Sequence, residues 1–217
     1  LPGWNFQHSM GLVSDPVRAV KFNGKEMLFI NDREGEVILT NRFGEQSVIV
    51  NKKVTPALNT GIYSTPLGNL IFSDVTGSIN EIHPDGNVQS VTLELSDPDH
   101  GFLYADADGD GSSDFVFING KELTAYTSQL ALIYRKEFDS ELEGGINLIG
   151  LHNHEKVLAV RSVESNQIWL LKPDGSAYPG FPVKGCTPPA IDELNLDGNK
   201  NLILGGNDKL VYGYSLK

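Results

Sequence analysis

The residues best placed to do chemistry lie in one short run in the middle of the chain, Asp106-Ala-Asp108-Gly-Asp110-Gly-Ser112-Ser-Asp114. Three aspartates alternate, two glycines let the chain double back, and a fourth aspartate opens an apolar stretch. Carboxylate oxygens at this density suit a hard divalent cation. Ca²⁺ takes about six to eight oxygens at roughly 2.3 to 2.6 Å, and a loop that aims alternate side chains at one centre can supply them. The expected ligands are Asp106, Asp108, Asp110 and Asp114, with the Ser112 carbonyl as a further donor. Without a cation these carboxylates repel one another. The competing readings are a solvated acidic turn without metal, and an EF-hand. The EF-hand needs flanking helices and a bidentate Glu at its twelfth loop position, where this chain has Phe117 inside an apolar run. A metal tied by several carboxylates between two strands is coordinatively closed, whereas catalytic metals keep an open position. The expected role is to pin a hairpin.

A second stretch, Glu193-Leu-Asn195-Leu-Asp197-Gly-Asn199-Lys-Asn201, aligns with the first. It keeps oxygen donors at Glu193, Asn195, Asp197, Asn199 and Asn201 but loses most of the charge. It is expected to hold metal weakly or not at all, with Asn side chains bonding the hairpin backbone instead. Elsewhere the chemistry is thin. Glycine-rich phosphate loops, paired-cysteine zinc spacings and nucleophile-elbow sequences do not occur. His152-Asn-His154 reads either as a transition-metal pair or as a solvated turn; His8, His83 and His100 stand alone. The expected set of catalytic residues is empty.

The elements that must position the acidic loop are strands. Short β-rich runs with period-two alternation, such as Glu36-Val-Ile-Leu-Thr and Gln167-Ile-Trp-Leu-Leu, are separated by turn residues, and no long amphipathic helical window occurs. An apolar run recurs at Leu28, Leu70, Phe115, Val157 and Leu202, about 42 to 45 residues apart. Glycine turns at Asn41-Arg-Phe-Gly44, His83-Pro-Asp-Gly86 and Lys172-Pro-Asp-Gly175 keep the same beat. Four short strands per period is the cadence of a propeller blade. The sequence therefore predicts an all-β chain: one domain over 1–217, a five-bladed β-propeller of four-stranded antiparallel blades at about 12–55, 56–97, 98–143, 144–187 and 188–217. Pro2-Gly-Trp4 matches Pro179-Gly-Phe181, so residues 1–7 read as a fourth strand that completes the last blade and closes the ring. The alternative is five consecutive blades from a larger ring.

Composition bounds the partners. The chain has 217 residues, a formal charge of −11 and one cysteine, Cys186. That charge repels phosphate backbones and anionic lipids, so neither nucleic acid nor membrane insertion is expected. The lone cysteine excludes a disulfide scaffold. The chain opens at Leu1 without Met, so it is expected to be a monomeric domain of a longer protein.

The run from Tyr104 through Gly120 resembles an FG-GAP (VCBS-type) repeat, a family that includes integrin alpha-chain propellers and many bacterial surface and secreted proteins. The resemblance implies calcium as cofactor, held by Asp106, Asp108, Asp110, the Ser112 carbonyl and Asp114. It also implies an exported location: extracellular, cell-surface or periplasmic. The expected function is a non-catalytic, calcium-stabilised binding or adhesion module presenting a propeller rim to a protein or glycan. Two alternatives stand beside it. One is a carbohydrate-active enzyme of glycoside hydrolase or polysaccharide lyase type, for which Asp15, Asp97, Asp99, Glu141 and Glu143 would converge at a channel mouth. The other is a repeated-site lectin or a purely structural domain. Trp4 and Phe181, in equivalent Pro-Gly-aromatic positions, read as packing residues.

Overall fold

The structure is a computed structural model, and it describes residues 11–14, 16–58, 60–93, 98–151, 155–194 and 198–216. It is all-β, with no helix among the described residues, and no helix is long and apolar enough to cross a membrane. The chain divides into two compact units, Leu1–Asp99 and His100–Lys217.

The first unit holds two antiparallel sheets. One is β1 (Arg18–Phe22), β2 (Lys25–Asn31), β3 (Val37–Thr40) and β4 (Gln46–Ile49); the other is β5 (Tyr63–Ser64), β6 (Leu70–Ser73), β7 (Ser78–Ile82) and β8 (Val88–Thr92). The second unit holds three. They are β9 (Gly101–Ala105) to β10 (Asp114–Asn119), β11 (Glu122–Tyr126) and β12 (Leu132–Glu137); β13 (Asn147–Gly150) to β14 (Lys156–Ser162), β15 (Gln167–Leu171) and β16 (Val183–Lys184); and a three-stranded sheet of β17 (Ala190–Asp192), β18 (Lys200–Gly205) and β19 (Val211–Leu216). In every sheet the strands pair in chain order. The five recurring apolar runs are the second strands β2, β6, β10, β14 and β18. The expected fourth strand at residues 1–7 lies outside the described residues.

Burial explains why those strands carry the signal. All four residues of β3 and of β6 are buried, as are the first five of β10, whereas the outer strands β4 and β8 are largely exposed. A strand covered on both faces needs a continuous apolar run instead of strict alternation. The expected period of two therefore fades in the middle of each sheet. In the first unit Phe29 of β2 meets Phe72 of β6 edge-on, with ring centroids 5.7 Å apart. In the second, Phe138 packs edge-on against Trp169 at 5.2 Å, joining the β9–β12 sheet to the next. On the opposite face of β15, Leu170 belongs to a separate core with Leu202 and Leu204 of the last sheet.

Backbone bonds repeat along with the packing. The segment entering a sheet donates an N–H to a carbonyl at the end of that sheet's second strand: Ser14 to Asn31, Ala57 to Ser73, Glu143 to Arg161 and Cys186 to Gly205, at 2.9 to 3.0 Å. The expected glycine turns are three-residue hairpin loops with a left-handed last residue, as at Gly44, Gly86 and Gly175. The third and fifth sheets close the same loop with Leu130 (φ 63°) and Lys209 (φ 66°). At Gly86 the turn also approaches the neighbouring sheet: an added Cβ would lie 2.0 Å from the Ile49 carbonyl oxygen, and Asn51 N–H donates to the Gly86 carbonyl at 3.0 Å.

Two stability outcomes follow from these turns. Gly86→Ala meets fixed backbone as well as an unfavourable φ and should destabilise the protein by about 3 kcal/mol or more, whereas Gly24→Ala, at φ 75° with open space around it, should lose only about 1 to 2 kcal/mol. Urea titration of the two variants checks the ordering, and equal losses would refute the close approach. Lys209→Gly relieves a left-handed residue on an exposed turn, and after the entropy of glycine it should gain roughly 0.5 to 1 kcal/mol in the same assay.

Candidate metal centre

Strands β9 and β10 pair with Ala105 opposite Asp114, so residues 106–113 must bridge the end of the hairpin. Gly109 (φ 87°) and Gly111 (φ 91°) supply the backbone reversals, and an added Cβ at either would meet nothing within 4 Å. These glycines serve conformation only. The aspartates then bond the loop's own amides, as Asp does in turns. Asp106 Oδ1 accepts from Gly109 N–H at 2.8 Å, Asp108 Oδ1 from Asp110 N–H at 3.1 Å, and Asp110 Oδ1 from Ser112 N–H at 2.6 Å. Asp114 is only 1% exposed, and its Oδ2 accepts from Ala107 N–H at 2.9 Å.

This folding gathers three of the expected ligands. Carboxylate oxygens of Asp106, Asp108 and Asp114 lie within 4.8 Å of one another, and among the described residues this is the one cluster of at least three His, Cys, Asp or Glu groups so arranged. Asp110 belongs to the same loop but stays outside the cluster, exposed, with its carboxylate on the Ser112 amide. Ser112 is exposed beside it.

Electrostatics set the two ends of the cluster apart. Burial first, and then the Asp108 and Asp110 carboxylates, push the Asp114 carboxyl above its ordinary range, against the pull of the Ala107 N–H. Burial also raises Asp106, but the hydrogen bond and charge of Lys156 together with the Gly109 amide outweigh it, and that carboxyl is held below its ordinary value. The Lys156 Nζ lies 2.9 Å from Asp106 Oδ2. Lys156 opens β14 in the neighbouring sheet, at the place Asp114 holds in its own, and nothing in the local loop sequence points to it. Tyr134 of β12 was equally invisible. Its hydroxyl is buried with no hydrogen-bond partner among the described residues, and burial together with the Asp114, Asp174 and Asp108 charges keeps the phenol protonated.

The described ends of the second acidic stretch carry two side-chain to backbone bonds of their own. Asn201 Oδ1 accepts from Leu194 N–H at 3.0 Å, as Asp114 does from Ala107, and Glu193 Oε1 accepts from Gly198 N–H at 2.6 Å. Asn199 is half-buried, while Asn195 and Asp197 lie outside the described residues. So do His8, His152 and His154, the acids Asp15 and Asp97, and Trp4. Asp99, Glu141 and Glu143 are exposed. His100 is buried against Phe117, at 6.1 Å between ring centroids. Phe181 packs edge-on against Tyr178 at 6.1 Å, next to the core of the last two sheets.

The donor chemistry of the 106–114 loop fits a hard divalent cation: all-oxygen, anionic, and containing a buried carboxylate whose charge its neighbours disfavour. Asp106, Asp108 and Asp114 would hold it, and the ion would supply charge neutralisation for aspartates that, among the described residues, are offset by the Lys156 ammonium of the neighbouring sheet.

No family model matches the chain, and no curated protein matches it. Solved structures do. The chain is similar to virginiamycin B lyase from Staphylococcus aureus, with 15% identity and a TM-score of 0.58 over 92% of this chain and 70% of that one. It is also similar to BBS1N crystallised in complex with ARL6DN: a mercury-soaked crystal gives 12% identity and a TM-score of 0.65 over 93% of this chain and 64% of that one. The lead-soaked crystal gives 13% identity and a TM-score of 0.61, over 93% and 60%. The chain thus spans 60% to 70% of the length of these structures. At such identities the likeness is one of fold, and that fold is the β-propeller, built of successive antiparallel sheets like those seen here.

Proposed function

We propose that this chain is a non-catalytic, calcium-stabilised β-propeller module of an exported protein that presents its inter-strand loops to a protein or glycan partner. The observation that carries the calcium reading is the cluster of Asp106, Asp108 and Asp114, with Asp114 buried and its ionised form disfavoured first by that burial and then by its neighbours' charges. In this reading the four four-stranded sheets and the three-stranded last sheet are five blades. An exported setting agrees with a site on one hairpin, because millimolar calcium outside cells suffices for modest affinity. A protein partner draws support from the similar BBS1N structures, which were crystallised with ARL6DN.

Calcium at about a hundred times its Kd should add about 2.7 kcal/mol to the native state, which for a chain of this length is a rise in Tm of roughly 5 to 11 °C. Melts in EGTA, in excess Ca²⁺ and in excess Mg²⁺ measure it. Asp108→Asn should abolish most of the calcium-dependent rise while leaving the melt in EGTA close to that of the parent. A parent melt identical in EGTA and calcium would remove the calcium reading. For the partner, a glycan array and pull-down with and without calcium should show calcium-dependent retention without consumption of the ligand; turnover of a bound glycan would instead establish the enzymatic alternative.

A further inference from the structure

We infer that Lys156 is a built-in counter-cation that competes with the metal for Asp106 and so sets how tightly the 106–114 loop takes calcium. This rests on the calcium reading above and goes beyond it, because Lys156 belongs to another sheet and is no part of the loop.

The argument begins with the two oxygens of Asp106. Oδ1 accepts from the Gly109 amide within the loop, and Oδ2 lies 2.9 Å from the Lys156 ammonium, which reaches across from the first residue of β14. Both oxygens are therefore engaged, one in shaping the loop and one in tying the β9–β10 hairpin to the neighbouring sheet. Carboxylate oxygens of Asp108 and Asp114 lie within 4.8 Å of an Asp106 oxygen, so the ammonium is a positive charge on the same cluster a divalent ion would occupy. Lys156 and the metal cannot both be indifferent to Asp106. Either the ion takes the Oδ2 lone pairs and the ammonium withdraws, or the two cations share one carboxylate and repel. Both cases give negative coupling, which is reciprocal: whatever calcium costs the Lys156 contact, Lys156 costs calcium.

Exposure sets the scale. The Lys156 side chain is 42% exposed and that of Asp106 is 16% exposed, so solvent and salt screen the repulsion without removing it. For charges of one and two units a few ångströms apart in such a partly solvated site, the penalty is about five- to tenfold in the binding constant. A lysine also suits the task better than an arginine fork, since its compact ammonium on a flexible stem can swing away without breaking a bidentate pair.

Calorimetric titration of the calcium-stripped 217-residue chain with CaCl₂ alone tests the inference on the parent, Lys156→Met, Lys156→Gln and Lys156→Arg. The Met and Gln variants should bind about five to ten times more tightly than the parent. The Arg variant should stay within about twofold, and the gap between Met and parent should narrow as NaCl rises from about 0.05 to 0.5 M. Titration of the neutral variants without titration of the parent would also support the inference, as its extreme form. If calcium binds the parent and both neutral variants equally, or binds those variants more weakly, Lys156 has no such role and the calcium reading survives. If neither the parent nor the neutral variants titrate, the calcium reading fails and the inference falls with it.

Discussion

The structure depends on covering both faces of its inner strands. No sheet in this chain can do that alone, because β3, β6 and most of β10 are buried throughout, and one sheet has only one partner strand on each side and no layer above or below. The neighbouring sheet supplies the missing cover: Phe72 for Phe29 in the first unit, Trp169 for Phe138 in the second. The backbone bonds from each entering segment to the end of a second strand, and the close approach of the Gly86 turn to Ile49, fix the spacing at which that cover is effective. Repetition follows from this need. A unit that must be covered by its neighbour is stable only in series, and the series then imposes the same strand lengths and the same turns on each member.

The acidic loop inherits its geometry from that requirement. Asp114 opens β10 opposite Ala105 and is buried there, at the head of a run of five buried residues. Its carboxylate is therefore held by the strand end, and the 106–113 loop, tied by its own amides, brings Asp106 and Asp108 to it. Rigid strand ends below and a glycine-hinged loop above are a sound division of labour for a cation site: one ligand is preorganised by the core, the others are delivered by a segment whose own amides hold them. Asp110 shows the limit of reading spacing alone. Alternation in the sequence places it with its neighbours, yet the local turn gives its oxygen to Ser112 N–H and leaves it in solvent.

Much of this was legible in the sequence, for reasons that can be named. The beat of Leu28, Leu70, Phe115, Val157 and Leu202 survives because burial on both faces tolerates few polar residues. The Pro-Asp-Gly turns are legible because a left-handed residue is costly for any side chain. Where Leu130 and Lys209 hold that conformation, the turn is present and its sequence sign is gone. Lys156 was not legible at all. It acts on Asp106 from fifty residues away, and only the packing of one sheet beside the next brings its ammonium to the loop. Contacts across neighbouring sheets carry no local pattern, so a site's shape can be read from its loop while its charge balance cannot.

The fifth sheet supplies an internal control for what the charge at Asp114 is for. Asn201 occupies the same place at the start of β18 and gives the same bond to the backbone, Leu194 N–H to Oδ1 at 3.0 Å against Ala107 N–H to Oδ2 at 2.9 Å. A neutral amide oxygen therefore accepts this backbone bond as a carboxylate does. The carboxylate at Asp114 performs that task at a disadvantage, since burial and the Asp108 and Asp110 charges all disfavour its ionised form. A residue that accepts the same amide bond as asparagine, and bears an electrostatic penalty that asparagine does not, is poorly explained by that bond alone. Its charge becomes favourable only in the presence of a positive partner, and Lys156, bonded to Asp106, offsets one carboxylate of the loop and leaves the buried one uncompensated. Asn201 and Asp114 thus differ in charge while accepting the equivalent backbone amide.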